Sequence, residues 1–440
     1  MIKNVIEAGK GMRLRICQTD KFKTGMLSLT LAQPIDRDEV WKSTLLLSVL
    51  RRGTEKYPTL AALNRRLDCL YGSELGIRSF YCGDAHVLGF SAEILDDAYL
   101  IDREESPLEG VLEVMCQMLF HPLLDENGDL LSHYVESEKQ LQCDYIRALK
   151  NRPRGYAMQR AKELLYQNEP CGASLYGSEE QIMAITKQEL TAHWRSLLGR
   201  LAPDFFYVGS ADGESVKALL EKTVGKELAQ KNGSAVFVQD RNAMIRSAER
   251  VTRYEETLPV SQGQLILGLR AGVALWDADF YAMAVYNELL GVSPISKLFV
   301  NVREKQSLCY SCSSSYHANK GTVFVSCGIE NANRDRAERE ILRQLDAIAA
   351  GDFSEEEFEG AKKSLLNAYR LIEDSPTAIE GYYLGRSLMG VADTVEEARA
   401  HVGKVTREQV LSCAARVSLD TVYYLRGTLA PKEDGEDEME

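Results

Sequence analysis

The chain has 440 residues, 45% hydrophobic and 27% charged, the composition of a soluble globular protein of about two to three domains. Its formal net charge of -13 excludes a general nucleic-acid binder, which needs basic patches against phosphate. No run approaches the roughly 18 apolar residues of a membrane span, and residues 1–10 hold no signal-peptide core, so a cytoplasmic protein is expected.

In chain order, the first half reads as strands at 12–18 and 25–33, then a helix at 37–51. Asp36 and Glu39 offer that helix a capping box, and Arg51, Arg52 and Gly53 close it. A helix at 59–70 precedes a strand pair at 75–94. Helices follow at 108–120, 128–150, 155–167 and 187–198, and a strand at 204–209 ends the half. The second half repeats the order. It has a strand at 263–270, helices at 276–290 and 294–305, and a strand pair at 308–330. Helices at 333–350, 354–373, 376–390 and 406–416 lead to a last strand at 421–427.

The repetition extends to residues. Leu75-Gly-Ile-Arg-Ser-Phe-Tyr-Cys and Tyr310-Ser-Cys-Ser-Ser-Ser-Tyr-His open matching strand pairs, and one offset carries Leu75 onto Tyr310 and Ile94 onto Ile329. Thr186 and Thr406 are each placed to N-cap a helix followed by an aromatic strand. The expected fold is α+β: two homologous αβ domains, each a mostly antiparallel sheet packed against helices. The domains are placed at 1–230 and 231–430, with a joint in 226–260 whose most loop-like stretch is Gln230-Lys-Asn-Gly-Ser234. The acidic tail 431–440 is expected to be disordered.

Ten cysteines are scattered from Cys17 to Cys413 without a secreted framework, so reduced thiols are expected. Cys309 and Cys312 form the one close pair. They sit on an expected strand, where residues three apart face opposite sides, which argues against a shared metal or disulfide. The six histidines are His86, His121, His133, His193, His317 and His401, no two of them three or four apart. His133 and Glu136 share a helix face, but two ligands do not make a zinc site.

Two motifs carry a resemblance. Gly53-Thr54-Glu55-Lys56-Tyr57-Pro58 follows the helix at 37–51. Leu289-Leu-Gly-Val, Ser296-Lys-Leu-Phe and Arg303-Glu-Lys-Gln-Ser-Leu-Cys-Tyr310 run in order through the second half. Over nearly the whole chain the sequence resembles the pitrilysin/insulinase/mitochondrial-processing-peptidase family of zinc metallopeptidases, in its bacterial half-length form. That family carries His-x-x-Glu-His ahead of the Gly-Thr motif. Anchored on Gly53, the three positions here are Thr44, Leu47 and Ser48, none of which suits a zinc site with its general base. The equivalent of the third zinc ligand falls near Asp144 or Tyr145. In the Arg-Tyr motif, the family's usual Gly is Ser307.

The resemblance implies half of a clamshell and a role for two residues. The family's Arg and Tyr hold the substrate carbonyl as it becomes an oxyanion in the zinc site of the partner half, and they map onto Arg303 and Tyr310. A guanidinium and a phenol are suitable preorganised donors. The expectation is therefore a non-catalytic subunit of a heterodimeric peptidase acting on unfolded peptides, inactive alone. Zinc is expected only in the homologous partner, and no cofactor or metal in this chain. In this family, peptides add as a strand to a sheet edge of the catalytic half. The alternative is a peptide-binding or structural scaffold without hydrolysis, possibly a homodimer. An independent nucleophile at Ser48 or Thr44 is disfavoured, because the sequence places no activating His or Lys beside them.

Overall fold

The computed structural model describes residues 4–8, 12–101, 105–200, 202–228, 237 and 239–429. They fall into two compact units. The first draws on the described residues within 4–146, 173–239 and 371–394, the second on those within 147–172, 240–370 and 395–429.

The first unit contains β1 (Asn4–Ala8), β2 (Met12–Gln18), β3 (Thr24–Pro34), β4 (Glu74–Cys82), β5 (Ala85–Leu95) and β6 (Asp204–Gly209). They form one sheet in the order β1-β2-β6-β3-β5-β4, antiparallel except for the β2–β6 pair. The second unit contains β7 (Thr252–Leu258), β8 (Gly263–Arg270), β9 (Cys309–His317), β10 (Thr322–Ile329) and β11 (Ser418–Gly427). Their order is β7-β11-β8-β10-β9, antiparallel except for β7–β11. With β1 set aside, the two sheets have the same order and the same single parallel pair. That identity is the duplication, now visible as topology. The expected fold of two mostly antiparallel αβ domains is what forms.

Burial explains the strand composition. β8 and β10 are buried along their whole length and read as near-continuous apolar runs. The helix Val40–Leu50 is buried on nearly every side and packs in the core of the first unit with Leu45, Leu46, Leu47 and Leu50. Thr186 and Thr406 both close complete capping boxes, with Glu189 and Gln409.

The units exchange a helix. Pro153–Leu165, from the first half of the sequence, packs Ala157, Ala161 and Leu165 on Ile266, Phe324, Tyr423 and Leu425 of the second unit. A side chain at Gly268 would stand 2.5 Å from Leu165, so the bare backbone of β8 is what admits this helix. Reciprocally, Pro376–Leu388 places Ile379 against Cys17, Met26, Phe206 and Val208 of the first unit. Each transferred segment brings a buried carboxylate. Glu380 accepts a hydrogen bond from Ser28 Oγ at 2.9 Å and pairs with Arg78. Glu169 lies 2.8 Å from Arg270 and 2.7 Å from Lys320.

Several expectations need correction. The boundaries 1–230 and 231–430 cut across the units at the two exchanged segments. The first core helix begins at Val40 rather than 37 and its cap residue Glu39 makes no side-chain cap bond. The Asp36 carboxylate instead accepts from the Asp38 N–H at 2.9 Å, an Asx turn ahead of the helix. The structure adds the strands β1 and β7 and the helices Glu179–Ala184, Gly213–Thr223 and Val395–Lys404 to the elements that the sequence predicts. The loop 230–234 and the tail 431–440 lie outside the described residues.

Candidate functional site

In the first unit, the three helix positions singled out by the sequence resemblance, Thr44, Leu47 and Ser48, are occupied by packing and local hydrogen bonds. Thr44 Oγ1 lies 2.8 Å from Ser79 Oγ on β4, which lies 2.9 Å from His86 Nε2 on β5. Leu47 is 1% exposed and belongs to the core. Ser48 Oγ turns back onto the Thr44 carbonyl at 3.4 Å. One turn earlier, Ser43 Oγ lies 2.9 Å from His193 Nε2. These contacts leave no ligand set for a metal at Thr44, Leu47 and Ser48, so the residues present do not fit zinc there.

Sequence spacing does not reveal the histidines beside this helix: His86 bonds Ser79 across the β4–β5 pair, Ser79 meets Thr44 where the helix packs on that sheet, and His193 comes from the helix Lys187–Gly199. They do not make a hydrolytic centre. His86 is fully buried, and burial, with the charge of His193, lowers its pKa to about 4. Burial likewise lowers that of His193. Ser43 is fully buried too, so no substrate reaches the Ser43–His193 pair. Of the residues near the third ligand position, Asp144 accepts from Gln140 at 2.9 Å, and Tyr145 packs on Tyr176 with ring centres 4.6 Å apart. His133 packs on Tyr134, while Glu136 pairs with Lys139 at 3.1 Å.

The retained Gly-Thr-x-x-Tyr-Pro segment is a turn. The Thr54 N–H donates to the Tyr57 carbonyl at 2.8 Å, and the Tyr57 N–H to Thr54 Oγ1 at 2.9 Å. A side chain on Gly53 would meet the Pro58 carbonyl oxygen at 2.5 Å.

In the second unit, Arg303 lies on a π-helical segment, Leu298–Lys305, a wide-turn geometry common at functional sites. Its guanidinium sits 4.8 Å from the Phe299 ring centre and its Nε 3.5 Å from the Glu304 carboxylate, with the side chain 44% exposed. The segment ends at Ser307, whose φ of +49° is left-handed. The Ser307 N–H donates to the Arg303 carbonyl and the Leu308 N–H to that of Val302, both at 3.1 Å. This turn delivers the chain into β9, and explains why a Gly suits the position where Ser307 stands.

Tyr310 is displayed by a β-bulge. Ser311 pairs with Gly328, but Cys309 pairs with Ile329, so Tyr310 is the extra residue. Its ring is 50% exposed and its hydroxyl donates to Glu330 at 3.2 Å. The same bulge overturns the expectation that Cys309 and Cys312 face apart. The one-residue shift returns Cys309 to the face of Cys312, whose cross-strand partner is Cys327. The three sulfurs lie within 4.8 Å of one another. Hydrogen bonds from Cys312 and Cys327, and the charge of Arg303, hold the Cys309 thiol well below its ordinary pKa. The same hydrogen-bonded coupling and burial raise that of Cys312.

Comparison with known proteins identifies the architecture. The family described as the peptidase M16 inactive domain matches residues 184–365. YmfF of Bacillus subtilis (strain 168), a probable inactive metalloprotease, is 30% identical over 420 residues, covering 95% of this chain and 96% of its own. The chain belongs to the M16 peptidase family. This M16 chain is also 23% identical over 312 residues to YmxG, an uncharacterized zinc protease of the same bacterium, spanning 70% of the chain and 72% of YmxG. A crystal structure of a conserved protein from Enterococcus faecalis V583 superposes with a TM-score of 0.84 at 27% identity, covering 98% of this chain and 99% of that one. An M16 inactive domain from Pseudomonas fluorescens shares the fold, with a TM-score of 0.77 at 16% identity and coverage of 98% and 99%. The matched family and the YmfF resemblance together make the chain an inactive M16 homologue.

Proposed function

We propose that this chain is the non-catalytic subunit of a paired M16 peptidase and supplies Arg303 and Tyr310 to the site of a zinc-bearing homologue. The observation that carries the reading is an asymmetry. Thr44, Leu47 and Ser48 hold no ligands, while Arg303 and Tyr310 remain about half exposed. An Arg on a helix end and a Tyr on a bulge are held by backbone geometry. Both groups can donate to negative charge developing on a substrate carbonyl oxygen, Tyr310 by turning its hydroxyl from Glu330. The substrates are unfolded or short peptides, held as an added strand. Mixing the chain with an M16 homologue that carries an intact His-x-x-Glu-His helix tests the reading. Hydrolysis of an unstructured peptide is expected from the mixture and not from this chain alone. A Tyr310→Phe mixture should lose roughly tenfold or more in kcat, since one oxyanion donor is typically worth 10²–10³.

A second reading, peptide holding without hydrolysis, is supported by β4. This strand ends the sheet order and most of its side chains are half-buried, the position to which a peptide strand would add. Tight binding of an extended peptide by this chain, with no activity in any mixture, would favour it.

A further inference from the structure

We propose that Cys309, Cys312 and Cys327 form a binding site for one thiophilic d10 ion, zinc or monovalent copper, beside the Arg303–Tyr310 motif. The site is independent of the pairing reading. It stands on geometry that two adjacent strands and one bulge enforce.

Cys312 and Cys327 are direct cross-strand partners on one face of β9 and β10, and the bulge at Tyr310 brings Cys309 onto that face. Three thiolates bound at about 2.3 Å to one ion stand roughly 4 Å apart. The sulfurs here all lie within 4.8 Å of one another, so small rotamer adjustments close the triangle. Cys327 is fully buried and Cys312 is 5% exposed, while Cys309 is half-buried and provides the way in.

The donor set selects the metal. It holds three sulfurs and no oxygen ligand, which favours zinc and monovalent copper over magnesium, calcium or manganese. Three thiolates complete a trigonal copper site. Zinc would take water as its fourth ligand. Loading breaks the S–H bonds, forms metal–sulfur bonds and releases the thiol protons to solvent.

The sheet explains why such a site survives without distorting the fold. β9 is an edge strand, and its bulge places the extra residue outward instead of straining the ladder. Metal binding would therefore stiffen the strand that carries Tyr310 and the turn that carries Arg303.

The test uses the full-length chain, reduced, exposed separately to zinc and to monovalent copper, and desalted. One ion per chain is expected in the wild type. Cobalt substitution should give an intense thiolate-to-metal charge-transfer band. Cys312→Ser and Cys327→Ser should each lose the ion and the band, whereas Cys69→Ser, at an exposed site on another element, keeps both. When both ions are offered together, the one retained assigns the native preference. If a variant misfolds, the wild type still decides, because loading should shield Cys309 from alkylation as read by mass spectrometry. No retained ion in the reduced wild type, equal retention in Cys312→Ser and Cys327→Ser, or no shielding of Cys309 would overturn the site.

Discussion

Thr44 Oγ1 lies 2.8 Å from Ser79 Oγ, at a helix position where the sequence resemblance implies a lost zinc ligand. The hydroxyl pair hands on to His86 at 2.9 Å, and one turn further along the helix Leu47 fills the core. Around this helix face the structure holds packing and a hydrogen-bond chain.

Leu47→Glu therefore should not move the chain towards activity. Leu47 is 1% exposed among apolar neighbours, so the new carboxylate would be buried without a cation. A loss of about 3 kcal/mol or more is expected at neutral pH. The loss should shrink on acidification, because the protonated carboxyl costs less to bury. Urea unfolding at two pH values measures this. An unchanged midpoint would show that the helix face is open to water.

His86 sets a pH dependence. Its folded pKa of about 4 lies below the ordinary imidazole value. Above about pH 6.5 both folded and unfolded states are neutral and the group costs nothing. As pH falls from about 6.5 towards 4, the unfolded state takes up a proton that the folded state refuses, and stability is lost. The full loss is about 3 kcal/mol and stops growing below pH 4. His86→Gln, which keeps a hydrogen bond for Ser79 but does not titrate, should lose less stability across that window than wild type. Parallel curves for the two proteins would remove His86 from the account.

Ser307 occupies a left-handed backbone conformation at φ +49°. A Cβ there costs roughly 1–2 kcal/mol, partly offset by the greater freedom of Gly in the unfolded chain. Ser307→Gly should therefore raise stability by about 0.5–1 kcal/mol, seen as a higher urea midpoint with an unchanged slope. A lower midpoint would mean that the side chain has a role the backbone does not reveal.

The exchanged helix Pro376–Leu388 depends on Glu380, fully buried between Ser28 and Arg78. Glu380→Ala leaves the Arg78 charge without this partner and should cost about 3–5 kcal/mol. The nearby Lys21–Asp374 pair, more than half exposed on both sides, is a built-in contrast. Asp374→Ala should cost under about 1 kcal/mol. Equal effects in thermal denaturation would contradict the anchoring role of Glu380.

Much of this fold is written in local pattern. The alternation and offset of residues 75–94 and 310–329 foretell β4, β5, β9 and β10, and Thr186 and Thr406 mark their helix starts. β7 escapes because it is an edge strand of polar residues, Thr-Arg-Tyr-Glu-Glu-Thr-Leu, with no apolar run to read. The helix exchange escapes for a different reason. Periodicity reveals that Ala157, Ala161 and Leu165 share an apolar face, but not which sheet receives it. The thiol cluster is hidden by the bulge, since strict alternation sends Cys309 and Cys312 to opposite faces. The β4–β5 register brings His86 to Ser79, and the packing of the helix Val40–Leu50 on that sheet brings Ser79 to Thr44, which no spacing encodes.

The most direct test of the subunit role is steady-state kinetics of a mixture with a zinc-bearing M16 homologue, using wild-type chain, Arg303→Ala and Arg303→Lys. The account predicts that Arg303→Ala lowers kcat by about 10²-fold with little change in KM, and that Arg303→Lys recovers part of the loss. Full activity of the Arg303→Ala mixture, with complex formation intact, would contradict the claim that this chain completes its partner's site.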